Sequence, residues 1–239
     1  MAAEPVLRQM LLITDGCSNI GTDPVYVAQA ARERGAACSV IGILDDGALG
    51  ERGRREARNI ADAGGGMCRL VRVSDLAQTV QMVTRQTMQL TLHQVVNAEL
   101  RQIIGGEAEE LPPETRSKVA RVVESMAEEV AVETALVIDV SASMASKMSA
   151  VREAIRDLEF GLRARTGHYR LLVITYPGQD GELATRHRHV TQAGMVADLI
   201  ADIKPAGNTP TGPALEAGLR ALFEDEGAKE DGSMRHYVV

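Results

Sequence analysis

Five short aliphatic runs recur along the chain, four to seven residues each, with helix-length segments between them. They are Met10–Thr14 (MLLIT), Cys38–Leu44 (CSVIGIL), Cys68–Val73, Ala135–Ile138 (ALVI) and Arg170–Thr175 (RLLVIT). Runs this short and apolar, with little polar alternation, suit strands buried on both faces. Strands that alternate with helices imply βαβ crossovers. The fold class predicted is therefore α/β: a doubly wound, mostly parallel sheet flanked by helices.

The intervening segments carry helix signals. Pro24 to Glu33 reads as a helix closed by Gly35, and Glu51–Ala63 as one ended by Gly64-Gly65-Gly66. Asp75 opens a long helical stretch to about Ile104, and the acidic segment Gly105–Pro113 (GGEAEELPP) breaks it. Helical pattern resumes over Glu114–Glu133, as a packed connecting helix, a spacer or a partner surface. Further helices are expected from Ser146 to about Ala164, over Met195–Ile203 and over Pro213–Phe223. Glu182–Thr191 has the weak alternation of an edge strand or hairpin partner. The organisation that results is a first half, 1–104, a connecting part, 105–133, and a second half, 134–239.

Composition excludes several classes of function. With four Tyr, two Phe and no Trp, the chain offers little stacking surface for single-stranded nucleic acid. A formal charge of −7 argues against general affinity for nucleic acid or anionic membranes and is compatible with a cation. The three cysteines, Cys17, Cys38 and Cys68, form no CxxC pair, so reduced thiols are expected, with Cys38 and Cys68 in the core. No signal-peptide pattern opens the sequence and no run reaches the length of a membrane span, so a cytoplasmic protein is expected.

Two of the aliphatic runs end on a carboxylate, LLIT-Asp15 and ALVI-Asp139. Asp139 begins Asp-x-Ser-x-Ser, with Ser141 and Ser143. On a loop leaving a strand tip, that spacing can turn three oxygen side chains toward one point. Thr209, in the loop Gly207-Asn208-Thr209-Pro210-Thr211-Gly212, adds a hydroxyl. Ligands of open α/β sheets collect at the carboxyl ends of strands. Carboxylates and hydroxyls are hard ligands, suited to Mg²⁺ or Mn²⁺ rather than zinc or copper.

These segments resemble the three motifs of the metal-ion-dependent adhesion site of von Willebrand factor A (vWA) domains. The resemblance implies a metal set of Asp139, Ser141, Ser143, Thr209 and Asp15. In that family the serines and threonine reach the ion directly or through water, and the aspartates usually act through water. It further implies a protein-binding module, not an enzyme, whose Mg²⁺ or Mn²⁺ takes an Asp or Glu carboxylate from a partner protein. The segment Ile60–Gly66 also resembles the family's late helix-to-strand turn. The layout is similar to small cytoplasmic vWA proteins of spore-forming Firmicutes.

The motif order departs from the family's, because the Thr14-Asp15-Gly16 half comes first and the Asp-x-Ser-x-Ser half second. That order implies either a circularly permuted domain or complementary halves that pair between molecules, giving a homo-oligomer. The terminal Arg235–Val239 (RHYVV) resembles the start of the strand preceding Thr14, a place already taken by Val6–Thr14. It is expected to form an extra edge strand or to pack on a neighbouring molecule.

Other readings remain open. A Mg²⁺-dependent phosphohydrolase of the haloacid dehalogenase type needs a second Asp where Ser141 stands. No GxSxG elbow or phosphate loop is present. His93, His168, His187, His189 and His236 read as surface residues. A vWA subunit of an ATP-driven, chelatase-like machine would use the same metal set. A scaffold assembling through 75–133 is the third alternative.

Overall fold

Val6–Thr14 (β1) lies between Ala36–Leu44 (β2) and Ala131–Asp139 (β4) in a six-stranded sheet, order β3-β2-β1-β4-β5-β6. The computed structural model describes residues 6–44, 51–104, 108–178, 182–186 and 196–234. Gly65–Arg72 (β3) and Tyr169–Tyr176 (β5) complete the parallel part. Thr185–Arg186 (β6) is antiparallel to β5, within the segment expected to form an edge strand. The sheet is flanked by helices on both faces, a doubly wound, Rossmann-like α/β arrangement.

Alternate side chains of a strand leave opposite faces of the sheet, and both faces here are apolar. Met10, Leu12 and Val137 enter a core with Pro24–Glu33 (α1), Glu51–Ala63 (α2) and Thr211–Met234 (α7). Leu11, Ile13 and Ile138 enter a second core with Leu76–Ile104 (α3) and Met148–Arg163 (α5). Each buried Leu, Ile or Val contributes about 1.5–3 kcal/mol relative to exposure. Two-sided burial is therefore what keeps these aliphatic runs in strands.

Local signals account for several helix ends. Asp23 caps α1 by accepting from the Val25 amide at 2.9 Å, with Pro24 in the first turn. Gly35, at φ +82°, takes the left-handed turn that follows α1. Pro113–Glu129 (α4) packs Val123 and Ala127 against Met88 and Leu92 of α3, so the connecting segment adds a third apolar cluster.

One boundary differs from expectation. The helix expected through Glu133 stops at Glu129, and Ala131–Thr134 belongs to β4. Val130 leaves the helix at φ −64°, ψ 142°, and Val6–Gln9 pair with Ala131–Thr134. Glu133 accepts ion pairs from Arg8 and Arg170, both at 3.1 Å, on the neighbouring strands. Cross-strand pairing and burial of Val132 outweigh the helical pattern of a Val- and Glu-containing segment. Among the described residues no helix is long and apolar enough to cross a membrane. Arg235–Val239 and residues 187–195 lie outside the described residues.

The chain builds outward from β1 through β2 to β3, then returns to the other side of β1 with β4 and continues to β5. Strand order therefore reverses between β1 and β4. The crevice at their carboxyl ends is where open sheets of this kind hold ligands. Asp15 follows β1 and Asp139 ends β4, so both carboxylates stand at that point.

Candidate metal site at the reversal of strand order

β4 delivers Asp139 with its side chain turned inward and fully buried. Thr14 Oγ1 donates to its Oδ2 at 2.7 Å, and the Ser141 amide donates to its Oδ1 at 2.8 Å. Burial pushes the Asp139 carboxyl up to about 6, and the charge of Asp15 adds to the rise. The Thr14 hydroxyl and the hydroxyl and amide of Ser141 pull the other way.

After Asp139 the chain turns through Ser141 into one 3₁₀ turn, Ala142–Met144, before α5. This turn brings Ser141 Oγ and Ser143 Oγ to 3.2 Å of each other. Ser143 Oγ donates to Asp15 Oδ1 at 2.7 Å, across 128 positions of sequence. The oxygens of Asp139, Ser141, Ser143 and Asp15 thus form one continuous chain of contacts. Ser143 is exposed whereas Asp139 and Ser141 are buried, so the cluster opens to solvent at Ser143.

Thr209 is brought to the same end of the sheet by a different device. The Asn19 backbone N–H donates to the Thr209 carbonyl at 3.1 Å, and its side-chain Oδ1 accepts from the Thr209 backbone N–H at 2.9 Å. A Cβ at Gly16 would stand 4.0 Å from Thr209 Oγ1, so that hydroxyl faces the residue after Asp15. Gly21, at φ +90°, lets the 16–23 loop close onto Pro213, where a Cβ would collide with the ring. The five oxygen-bearing residues expected from the sequence therefore sit on three adjoining loops.

Lys147 is the residue that sequence reasoning passed over. Its Nζ lies 2.6 Å from Asp15 Oδ2 and 3.1 Å from the Ser143 carbonyl. The Lys147 and Asp15 side chains are only 1% and 3% exposed, making this a buried ion pair inside the cluster. The signal was its position four residues after Ser143, one helical turn, which returns its side chain to the serine. Thr14, Asn19 and Glu56 were also missed. Glu56 Oε1 accepts from the Ser18 amide at 2.6 Å and holds the loop after Asp15.

Fully buried Tyr176 lies behind Asp139, and burial and then the aspartate's charge push its phenol well above the usual value. No hydrogen bond to its hydroxyl has sound geometry among the described residues, although the Thr14 and Thr211 hydroxyls lie beside it. Cys17 is half-buried, and burial followed by the Glu56 carboxylate raises its thiol. His93 and His168 are exposed, while His187, His189 and His236 lie outside the described residues.

Two carboxylates, two serine hydroxyls and a threonine hydroxyl fit a hard divalent cation in chemistry. With Lys147 counted, the protein's charge at the cluster is −1, which leaves a divalent ion incompletely neutralised.

No family model matches the chain. It is 42% identical over 211 residues to the uncharacterized protein YabS of Bacillus subtilis (strain 168), spanning 87% of this chain and 86% of that one. The chain belongs to the YabS family. The crystal structure of an uncharacterized protein from Alicyclobacillus acidocaldarius is similar at 45% identity and a TM-score of 0.87. The match covers 93% of this chain and 96% of the other, so the α/β fold described above is shared along nearly its whole length.

Proposed function

We propose that this YabS-family chain is a metal-dependent protein-docking module of the vWA type, in which a bound Mg²⁺ or Mn²⁺ takes a carboxylate from a partner protein. The observation that carries this reading is the hydrogen bond from Ser143 to Asp15 at 2.7 Å. It joins the Asp-x-Ser-x-Ser motif of one half to the Thr-Asp-Gly motif of the other. Residues so distant in sequence converge with acceptor oxygens toward the same opening.

Asp139, Ser141, Ser143, Thr209 and Asp15 would hold the ion, and the ion would supply a Lewis-acidic position for a partner's Asp or Glu. The residues of the chain itself do the rest. Thr14 and the Ser141 amide orient Asp139, and Asn19 holds the Thr209 loop at the reversal point. Neutral hydroxyls among the ligands leave positive charge on the ion, which favours an anionic group from outside. The order of the two motifs is read as a circular permutation. Pairing of β1 with β4 supports closure of both halves within one chain. The free cysteines support a reducing, cytoplasmic setting.

Isothermal titration with Mn²⁺ and Mg²⁺ tests the reading. Wild-type protein should bind one ion, and Asp139→Ala and Ser141→Ala should lose it while keeping wild-type circular dichroism. Unchanged binding in both variants, or no binding in the wild type at millimolar ion, overturns the proposal.

A further inference from the structure

We infer that Lys147 is a built-in counter-ion that weakens metal binding by the free protein and thereby makes the metal depend on the partner's carboxylate. The inference rests on the docking-module reading and concerns the regulation of that same site. Three observations carry it. Lys147 is buried to 1% exposure, so its ammonium is not a solvated surface charge. It contacts Asp15 Oδ2 at 2.6 Å while Asp15 Oδ1 receives the Ser143 hydroxyl at 2.7 Å. It also donates to the Ser143 carbonyl at 3.1 Å, which ties the ammonium to both ends of that contact.

The charge balance follows directly. Asp15 and Asp139 contribute two negative charges and Lys147 one positive charge. A divalent ion in this cluster leaves a net +1, and a single carboxylate from outside brings the total to zero. Without Lys147 the ion alone would neutralise the cluster. The ammonium therefore opposes the ion and favours the carboxylate. In a partly desolvated site such pairwise terms are far stronger than in water. Linkage requires that a carboxylate strengthened by the metal strengthen the metal in return, by the same factor.

A surface lysine could be neutralised without consequence, but this one is held within hydrogen-bond distance of a proposed ligand on one side and of a ligand's backbone on the other. Arg at this place would keep the charge, whereas Met or Gln would remove it with similar length. The three substitutions therefore separate charge from shape.

The test is titration of the full-length protein with Mn²⁺ at constant pH and ionic strength, with and without acetate as the carboxylate probe. Wild type, Lys147→Met, Lys147→Gln and Lys147→Arg are compared, each checked for folding by circular dichroism. In the wild type, acetate should tighten Mn²⁺ several-fold. Lys147→Met should bind Mn²⁺ alone at least tenfold tighter and lose most of the acetate effect, and Lys147→Arg should behave as wild type. Lys147→Gln gives the same readout if the Met variant does not fold. Neutral variants that bind Mn²⁺ no tighter than wild type, or that keep the full acetate effect, overturn the inference while leaving the docking site standing. Absence of Mn²⁺ binding in all four proteins overturns both.

Discussion

Thr14, the last residue of β1, donates its hydroxyl to Asp139, the last residue of β4, at 2.7 Å, with both side chains buried. This contact fastens the two central strands at the end of the sheet where the oxygen cluster lies. Thr14→Val keeps the shape and β-branching but leaves Asp139 with one donor fewer. Loss of a hydrogen bond to a buried carboxylate should cost about 1.5–3 kcal/mol of stability. Urea denaturation of the two proteins checks it, and a change below about 0.5 kcal/mol would mean that this bond does not orient Asp139.

Asp139 sets a pH dependence with a definite sign. Its carboxyl is raised to about 6 in the folded protein, mainly by burial. A raised carboxyl makes folding easier while the proton is on, and that contribution is lost as pH rises through about 6. In EDTA, Asp139→Asn should therefore be more stable than wild type at pH 7.5, by up to about 3 kcal/mol. The gap should shrink to about half by pH 5 and close only below the unfolded carboxyl value of about 4. Thermal melts of both proteins at the two pH values decide it, and a gap that widens toward low pH has the wrong sign.

The same group governs the metal. A divalent ion requires the carboxylate, so protons compete with it, and Mn²⁺ affinity in the wild type should fall as pH drops below about 6. Titrations at pH 7.5, 6.5 and 5.5 should show the steep loss in the last interval. Affinity that is level across all three would place the ion elsewhere.

Asn19 clamps Thr209 through two hydrogen bonds, at 3.1 and 2.9 Å. Asn19 is exposed, so Asn19→Ala should change stability by less than about 1 kcal/mol. It should nonetheless weaken Mn²⁺ binding several-fold, because the threonine loop loses the side-chain bond to the Thr209 amide and keeps only the backbone one. Equal metal affinity in the variant and wild type would mean that the Asn19 side chain does not position Thr209 for the ion.

Gly21 tests the packing of that loop independently of any ion. At φ +90° with the Pro213 ring against it, Gly21→Ala combines left-handed strain with a steric contact. The strain alone costs about 1–2 kcal/mol, and the contact adds to it. Chemical denaturation in EDTA should show at least that loss, and an unaltered midpoint would mean the loop repacks freely.

Much of the architecture was legible locally. The aliphatic runs became β1 to β5 because each has too little polar surface to lie outside, and α1 and α2 carry their bounds in Asp23, Pro24, Gly35 and Gly65. Asp15 and Asp139 at strand ends, the alternating serines and the Gly-rich threonine loop also pointed to one oxygen-rich place. The beginning of β4 was not legible. Ala131–Thr134 continues a helical pattern by composition, and pairing with Val6–Gln9 on one side and Tyr169–Leu171 on the other makes it a strand.

Sequence by itself determined which segments are apolar, where helices begin and turn, and which residues carry oxygen at strand tips. Those properties depend on neighbours a few positions away. Tertiary structure alone decided that β4 lies beside β1, that Ser143 meets Asp15, and that Lys147 points inward to share that carboxylate. Strand order and the direction of a long side chain are set by packing between residues more than a hundred positions apart. Local pattern carries no record of that distance, so a lysine that reads as an ordinary surface charge becomes part of the site only when the sheet is assembled.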